Sequence, residues 1–126
     1  MYLIDTNILI DYLRENAAAV GFLEGLKRPA LISALTVAEL YAGVREGEER
    51  QRMEAFLRAF AVVPVTEALA QNGGLYRRDY GPTHGTDLVD GILAATAKVN
   101  KARLVTLNRR HFPMLSRVLV PYGETR

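Results

Sequence analysis

Short apolar runs alternate with longer segments of helical periodicity along this chain. The first run, Tyr2-Leu3-Ile4, ends at Asp5 and predicts a buried strand, because it is continuously apolar rather than alternating. Similar runs at 30–32, 62–65, 104–107 and 118–120 predict three further strands and a candidate fifth. Between them, apolar residues recur every three or four positions, which predicts helices near 8–13, 17–27, 36–44, 49–60, 67–79 and 87–98.

This order of elements predicts an α/β fold. We expect a single domain of three layers, in which a parallel β-sheet of four to five strands is flanked by helices on both faces, as in Rossmann-like folds. Thr6 and Asn7 are predicted to cap the first helix, and the glycines and proline of the segment 80–85 predict a loop. In such sheets the working residues collect outside the carboxyl ends of the strands.

Composition limits the kinds of chemistry that are available. The 126 residues are 49% hydrophobic and 24% charged, as expected for one globular domain. The chain has no cysteine, which excludes disulfides, thiolate zinc sites and a cysteine nucleophile, and two histidines disfavour a histidine-based zinc site. Asp5 and Asp11 interrupt the apolar N-terminus, so it does not resemble an export signal, and no run approaches the roughly 18 apolar residues of a membrane helix. The predicted compartment is the cytoplasm, without a membrane partner.

Basic residues are concentrated near the C-terminus. Residues 98–126 hold seven basic residues against one acidic residue, a net charge of +6, whereas the other 97 residues carry −4. Such a segment could attract a polyanion, although scattered arginines more commonly form a solvated surface. Arg109 and Arg110, just past the fourth predicted strand, are the candidates for phosphate contacts.

Two acidic residues follow predicted strands, and each also has a structural interpretation. Asp5 comes directly after the first strand, where it could serve only as a helix cap. Glu39 closes the sequence Thr36-Val37-Ala38-Glu39, which has the S/T-x-x-E pattern of a capping box. Yet Thr36 itself follows the second strand, so Glu39 is expected near the same edge of the sheet as Asp5.

A third acidic residue, Asp90, opens an almost wholly apolar helix that is predicted to lie in the centre of the domain. The helix dipole would favour a carboxylate in this first turn without any functional role. Asp87, one turn earlier, is expected to be solvent-exposed. Asn108 follows the fourth strand, where an asparagine is also a common turn residue.

Taken together, these side chains favour a shared site. The carboxyl ends of neighbouring parallel strands meet at one edge, so the carboxylates would raise one another's pKa unless a cation joins them. Ligation by oxygen alone suits Mg²⁺ or Mn²⁺ far better than Zn²⁺. Such an ion can polarise a phosphoryl oxygen and lower the pKa of bound water, both of which serve phosphodiester hydrolysis.

Four motifs in order carry a family resemblance. They are Ile4-Asp5-Thr6-Asn7, Thr36-Val37-Ala38-Glu39-Leu40 with Gly43, the run from Asp90 to Ala97, and Leu104-Val105-Thr106-Leu107-Asn108 with His111-Phe112. Over essentially its whole length the chain resembles PIN-domain ribonucleases, and among them the VapC-like toxins of type II toxin–antitoxin pairs. The resemblance implies a PIN-like fold over residues 1–126.

The resemblance also implies a function and a set of site residues. It makes Asp5, Glu39 and Asp90 the metal ligands and gives Thr6 a supporting hydroxyl, while the fourth acidic position of the family is an amide here, Asn108. The implied activity is a Mg²⁺- or Mn²⁺-dependent endoribonuclease that leaves 5′-phosphate and 3′-hydroxyl ends. The implied partners are RNA, a cognate antitoxin and a second copy of the chain.

Alternative functions stay open on sequence grounds. A catalytically silent PIN-like binding domain is compatible with the amide at Asn108. A haloacid-dehalogenase-like phosphatase needs a second acid two residues after the first, where this chain has Asn7. A response-regulator receiver needs paired acids near the first strand and a lysine after the last, and both are missing.

Overall fold

The computed structural model describes residues 1–123, which form one five-stranded sheet and six α-helices. The strands are β1 (Tyr2–Ile4), β2 (Leu31–Ser33), β3 (Ala61–Val63), β4 (Arg103–Val105) and β5 (Val118–Leu119). The helices are α1 (Thr6–Leu13), α2 (Ala17–Glu24), α3 (Ala34–Gly43), α4 (Glu48–Leu57), α5 (Glu67–His84) and α6 (Leu88–Val99), followed by a 3₁₀ turn at Arg109–His111. The predicted α/β class is confirmed, and the candidate fifth strand is present.

The sheet is parallel throughout, with the strand order β3-β2-β1-β4-β5. The central strand β1 pairs with β4 along its whole length, with Leu3 opposite Leu104 and Ile4 opposite Val105. The edge strand β3 is the most exposed to solvent, and its residue Val62 is 49% exposed. All five carboxyl ends therefore point to one edge of the sheet, as the sequence predicted.

Alternate residues of β1 divide the core between the two faces of the sheet, because successive side chains in a strand point in opposite directions. Ile4 joins the cluster that contains Ile8 and Leu9 of α1 and buried residues of α2, α3 and α4. Leu3 joins the other cluster, with Leu93 of α6. The molecule thus has the three layers that the element order predicts.

Helices α5 and α6 pack at unusually close range. A Cβ atom on Gly91 would lie 2.2 Å from the backbone oxygen of Gly73, and one on Gly73 would lie 2.8 Å from the Cα of Ile92. Neither position has room for a side chain, so the two glycines allow the backbones to touch. This contact fixes the first turn of α6, which carries Asp90.

The predicted loop at 80–85 is wrong, because α5 continues through Pro82 to His84. The rings of Tyr80 and His84 lie 6.0 Å apart along the helix, and Gly85 ends it in the left-handed conformation with φ of 71°. Packing against α6 outweighs the one backbone hydrogen bond that Pro82 removes. The helix-breaking residues belong to the last turn and its cap.

Two other helix boundaries differ from the predictions. Asp5 is the N-cap of α1, which confirms its interpretation as a helix cap and not that of Thr6 or Asn7, and Ser33 rather than Thr36 caps α3. Both helices begin directly after a strand, which leaves no residue between the strand and the cap. Smaller shifts occur at the ends of α2 and α4, which stop at Glu24 and Leu57.

In the part of the chain from Met1 to Gly123, none of the helices combines the length and the apolar character that crossing a membrane requires. The longest helix, α5, has 18 residues, of which only Leu69 and Gly73 are buried. The three C-terminal residues, which include the predicted surface charge Arg126, lie outside the described residues.

Candidate active site

Asp5 lies at the carboxyl end of β1 with only 7% of its surface exposed. Its Oδ1 accepts a 2.7 Å hydrogen bond from the amide of Thr6, and its Oδ2 accepts one of 2.7 Å from the hydroxyl of Thr106. Burial raises the pKa of Asp5, these two donors lower it, and the nearby charges of Glu39 and Asp87 raise it again. Asp5 is therefore a helix cap and a member of an acidic cluster at once.

The hydroxyl of Thr6 links α1 to α3. It donates a 2.7 Å hydrogen bond to Oε1 of Glu39, and it lies 3.0 Å from the hydroxyl of the fully buried Thr36. The predicted capping box at Thr36 and Glu39 is wrong, because α3 already begins at Ala34 and Thr36 stands inside the helix. Glu39 is exposed and held toward Asp5 by Thr6 rather than by its own helix.

A capping box does exist, at the start of α6. Asp87 is the N-cap of α6, and its Oδ1 accepts a 2.8 Å hydrogen bond from the amide of Asp90. In return, Oδ2 of Asp90 accepts a 3.1 Å hydrogen bond from the amide of Asp87. Asp87 is solvent-exposed, as predicted. Its negative charge raises the pKa of both Asp5 and Asp90.

Asp90 is the more deeply placed member of this pair, with 8% of its surface exposed. Its Oδ2 lies 3.2 Å from Nδ1 of His111, which follows β4. Burial, together with the charges of Asp87 and Asp5, raises the pKa of Asp90 to about 6, although the Asp87 amide and His111 oppose the rise. The carboxylate is thus disfavoured in its charged form despite its two partners.

Asn108 contributes its backbone to the site. Its amide donates a 3.0 Å hydrogen bond to the hydroxyl of Thr106, which in turn donates to Asp5. The Asn108 carbonyl accepts from the amide of His111 in the 3₁₀ turn. Asn108 is therefore placed beside the acidic residues, at the carboxyl end of β4.

The two arginines predicted to contact phosphates are both exposed on this 3₁₀ turn. The guanidinium of Arg109 donates a 3.3 Å hydrogen bond to the carbonyl of Val118 in β5, so it also has a structural partner. Arg110 makes no side-chain hydrogen bond or ion pair within residues 1–123. Arg110 is the freer of the two cations next to the acidic edge.

Comparison with known proteins identifies the family. The PIN domain model matches residues 2–117. The chain belongs to the PIN domain family. It is 47% identical to ribonuclease VapC19 of Mycobacterium tuberculosis, over 97% of this chain and all of that protein, and 38% identical to ribonuclease VapC10 of the same species, over 98% and 94%. Its fold matches a toxin–antitoxin complex from Klebsiella pneumoniae with a TM-score of 0.85 and 28% identity, covering 98% of this chain and all of that one.

Membership of the PIN family removes the phosphatase and receiver alternatives. The acidic residues come from separate segments: Asp5 follows β1, Glu39 lies within α3, and Asp90 lies in the first turn of α6. The structure places Asp5, Thr6, Glu39, Asp90 and Asn108 at that edge. Their catalytic and metal-binding roles stay predictions.

The donor set of this PIN domain fits a hard divalent cation. Its acidic groups offer only carboxylate oxygens, which are the ligands that Mg²⁺ and Mn²⁺ prefer. Asn7 lies in the first turn of α1, two residues after Asp5, and its buried Oδ1 accepts no hydrogen bond from the described residues. Within residues 1–123, no three acidic or histidine side chains converge on one point. Each carboxylate faces a protein donor instead, as expected for like charges without a cation between them.

Sequence reasoning missed three contributors to this edge. Thr106 and Thr36 hold Asp5 and Thr6 through hydroxyl groups, and His111 faces Asp90. The signal for Thr106 was its place directly before the turn that follows β4. His111 could be recognised only from its position three residues after Asn108, and that spacing places it near Asp90 only because residues 109–111 form a 3₁₀ turn.

Proposed function

We propose that this PIN domain is a Mg²⁺- or Mn²⁺-dependent endoribonuclease and the toxin of a toxin–antitoxin pair. The observation that carries the proposal is the placement of Asp5, Glu39 and Asp90 at one edge of the sheet, where the charge of Glu39 acts on Asp5 and the charge of Asp5 acts on Asp90. Similarity over the full chain to two proteins named ribonuclease VapC supports the activity.

In this proposal Asp5, Glu39 and Asp90 hold the ion. When bound, the ion supplies polarisation of a phosphoryl oxygen and a lowered pKa of a water molecule, which together favour hydrolysis of an RNA phosphodiester. Thr6 orients Glu39 through its 2.7 Å hydrogen bond, and Thr106 fixes the rotamer of Asp5. These hydroxyl groups act as positioning residues, because outer partners of metal ligands set the orientation of those ligands.

The remaining side chains at the edge bind and limit the substrate. Arg110 and Arg109 contact the RNA backbone, since exposed guanidinium groups beside a cleavage site recognise phosphates without reading sequence. Asn108 stands at the family's fourth acidic position and contributes a neutral oxygen instead of a charge. The expected products carry a 5′-phosphate and a 3′-hydroxyl.

The proposed partners follow from the toxin assignment. A small antitoxin covers the acidic edge, and a second copy of the chain forms a homodimer. The support is the match to a solved structure titled a toxin–antitoxin complex. The proposed compartment is the cytoplasm, where an RNA substrate and a co-expressed antitoxin are both present.

An RNA cleavage assay tests this function. Purified protein is incubated with a 5′-fluorescent RNA in Mn²⁺ or in EDTA, and the Asp5→Asn variant is prepared in the same way. We expect cleavage only by the parent and only with the metal. Asp79→Asn, an exposed aspartate of α5 that pairs with Arg78, is the matched control and should cleave as the parent does.

The same assay separates the enzyme from a silent binding domain of the same fold. Binding of RNA without cleavage in Mn²⁺ or Mg²⁺ would favour the silent domain. Equal cleavage by the parent and Asp5→Asn would indicate a contaminating nuclease and contradict the proposal.

A further inference from the structure

A second concave site lies at the opposite end of the sheet from the acidic residues. It is a cavity of about 870 Å³ beneath the amino ends of the strands, where Tyr2 opens β1 and Arg103 opens β4. We call it the amino-end cavity. A strand of three residues spans roughly 10 Å, so this cavity and the acidic edge are separated by the length of the strands.

Cations dominate the wall of the amino-end cavity. Its lining contains six basic side chains and no acidic one: Lys27, Arg28, Lys98, Lys101, Arg103 and Arg117. None of the six forms an ion pair with a carboxylate in the part of the chain that the structure describes. The basic segment 98–126, which sequence analysis singled out, thus directs four of its charges into one concave site.

One polar group at the cavity has no partner. Lys101 has an ordinary role, since its left-handed conformation (φ 52°) ends α6 with a hydrogen bond from the Ala102 amide to the Ala97 carbonyl. The Nε of Arg103 is buried and donates no hydrogen bond within residues 1–123. A buried guanidinium nitrogen without an acceptor has a free-energy cost.

Apolar side chains also line the cavity, among the charged groups. They are Tyr2, Leu26, Met114 and Leu115. A concave site of about 870 Å³ that combines six cations with apolar side chains suits a ligand that has phosphate groups and a flat organic part.

We propose that the amino-end cavity binds the phosphate groups of a nucleotide unit, either within an RNA chain or as a free nucleotide. Several cations are needed to balance a polyphosphate or successive phosphodiesters, and guanidinium groups pair with phosphate oxygens in a bidentate manner. The phosphate site stands independently of RNA cleavage, and only its assignment to RNA rests on the proposed function.

Calorimetry with sodium tripolyphosphate tests the phosphate site directly. The parent protein is titrated in EDTA and compared with Lys101→Gln/Arg117→Gln, which removes two exposed cations of the cavity. The control, Arg14→Gln/Arg58→Gln, removes two exposed arginines elsewhere. We expect at least tenfold weaker binding in the cavity variant and unchanged binding in the control.

A second cavity variant, Lys27→Gln/Arg28→Gln, removes two other cations of the cavity lining and is used if the first variant folds poorly. Circular dichroism of each variant confirms folding. Absence of tripolyphosphate binding by the parent, or an equal loss in the cavity and control variants, would overturn the proposal.

Binding of a fluorescent single-stranded RNA in EDTA identifies the source of the phosphates. If the cavity takes RNA, Lys101→Gln/Arg117→Gln weakens RNA binding and flattens the slope of log K against log salt by about 1.4, or about 0.7 for each lost phosphate contact. Loss of tripolyphosphate binding with unchanged RNA binding would assign the cavity to a free nucleotide. RNA cleavage in Mn²⁺ is measured separately, so failure of this site leaves the proposed nuclease unaffected.

Discussion

Asp87 and Asp90 cap one another across the first turn of α6, since the amide of each residue donates a hydrogen bond to the carboxylate of the other. The first turn of this helix is therefore held by two like charges. A capping box normally pairs serine or threonine with glutamate or glutamine, so this pair of aspartates departs from the usual pattern. Here the arrangement keeps a buried carboxylate, that of Asp90, at the acidic edge.

Replacing Asp90 with asparagine should separate structure from activity. Asparagine keeps an oxygen acceptor for the Asp87 amide, while the charge that the surroundings disfavour is lost. We expect the Asp90→Asn protein in EDTA to melt at the same temperature as the parent or a few degrees higher. Cleavage should fall by more than about 100-fold, because the loss of an outer partner of a metal site alone costs 10–100-fold.

Circular dichroism melts and the fluorescent-RNA assay measure the two effects, with Asp79→Asn as the control. If Asp90 served only the helix dipole, its loss would destabilise the protein by roughly 0.3–1 kcal/mol and leave cleavage intact. A destabilised Asp90→Asn protein that cuts RNA at the parent rate would therefore contradict its assignment as a ligand.

The raised pKa of Asp90 predicts how stability depends on pH. The folded-state pKa is about 6 and the unfolded value is 3.8, so between these values the folded protein binds a proton that the unfolded chain releases. This group therefore favours folding at about pH 4, and the advantage is lost as pH rises through 6. Asp5 acts in the same direction, because burial raises its pKa as well.

Thermal melts in EDTA between pH 4.5 and 7.5 measure this dependence. The melting temperature of Asp90→Asn relative to the parent should increase with pH and level off above about 7. A difference that stays constant across this range would show that Asp90 does not titrate within it.

Removal of the Thr106 hydroxyl should destabilise the protein more than an equivalent change elsewhere. Thr106→Val leaves Oδ2 of Asp5 without its donor, and an unsatisfied buried acceptor costs about 1–3 kcal/mol, more when it is charged. Thr96→Val is the matched control, because Thr96 is equally buried and its hydroxyl only adds a bond to the Ile92 carbonyl of its own helix. We expect that change to cost less than about 1 kcal/mol.

Urea unfolding at pH 7 and pH 5 checks this comparison. Loss of the donor raises the pKa of Asp5 further, so the deficit of Thr106→Val should shrink at pH 5 as the carboxyl group takes up a proton. If the two variants lose the same free energy of unfolding at both pH values, the hydrogen bond from Thr106 to Asp5 does not contribute specifically to stability.

Divalent cations should stabilise the folded chain. Asp5, Glu39 and Asp90 repel one another without a cation, and a ligand that binds only the folded state raises the melting temperature by mass action. We expect millimolar Mn²⁺ or Mg²⁺ to raise it relative to EDTA, and Glu39→Gln to reduce the rise. Identical melting curves in Mn²⁺ and EDTA would disprove a shared metal site.

Arg109 and Arg110 should differ in their effects on RNA binding. Arg110→Ala removes a cation without a partner in the described residues, so the salt slope should flatten by about 0.7 with little change in stability. Arg109→Ala also removes the hydrogen bond to Val118, so its melting temperature should fall as well. Fluorescence anisotropy at several salt concentrations measures both slopes, and unchanged slopes would assign the two arginines to the solvated surface.

The sequence was sufficient to predict the strands and the edge where the acidic residues meet. Runs as short as Tyr2–Ile4 can be recognised as strands, because a parallel strand that is buried on both faces is continuously apolar. Asp5 and Asn108 could be placed at one edge because each follows such a run.

Longer-range contacts could not be predicted from the sequence, because they depend on packing between distant segments. Pro82 indicated a loop, yet the contact of Gly73 with Gly91 brings α5 and α6 together and the helix continues. The capping box was assigned to Thr36, because a local pattern does not reveal that Ser33 starts the helix three residues earlier. The donor to Asp5, Thr106, stands 101 residues away in the chain.

The strand order also determines when during synthesis the acidic edge comes into existence. The strand β1 is made first, but its partner β4 is made about a hundred positions later, as the pairing of Leu3 with Leu104 shows. A nascent chain holds Asp5 and Glu39 long before Asp90 and the threonine that fixes Asp5. The acidic edge is therefore complete only after the chain has been made past Thr106, 101 residues beyond Asp5.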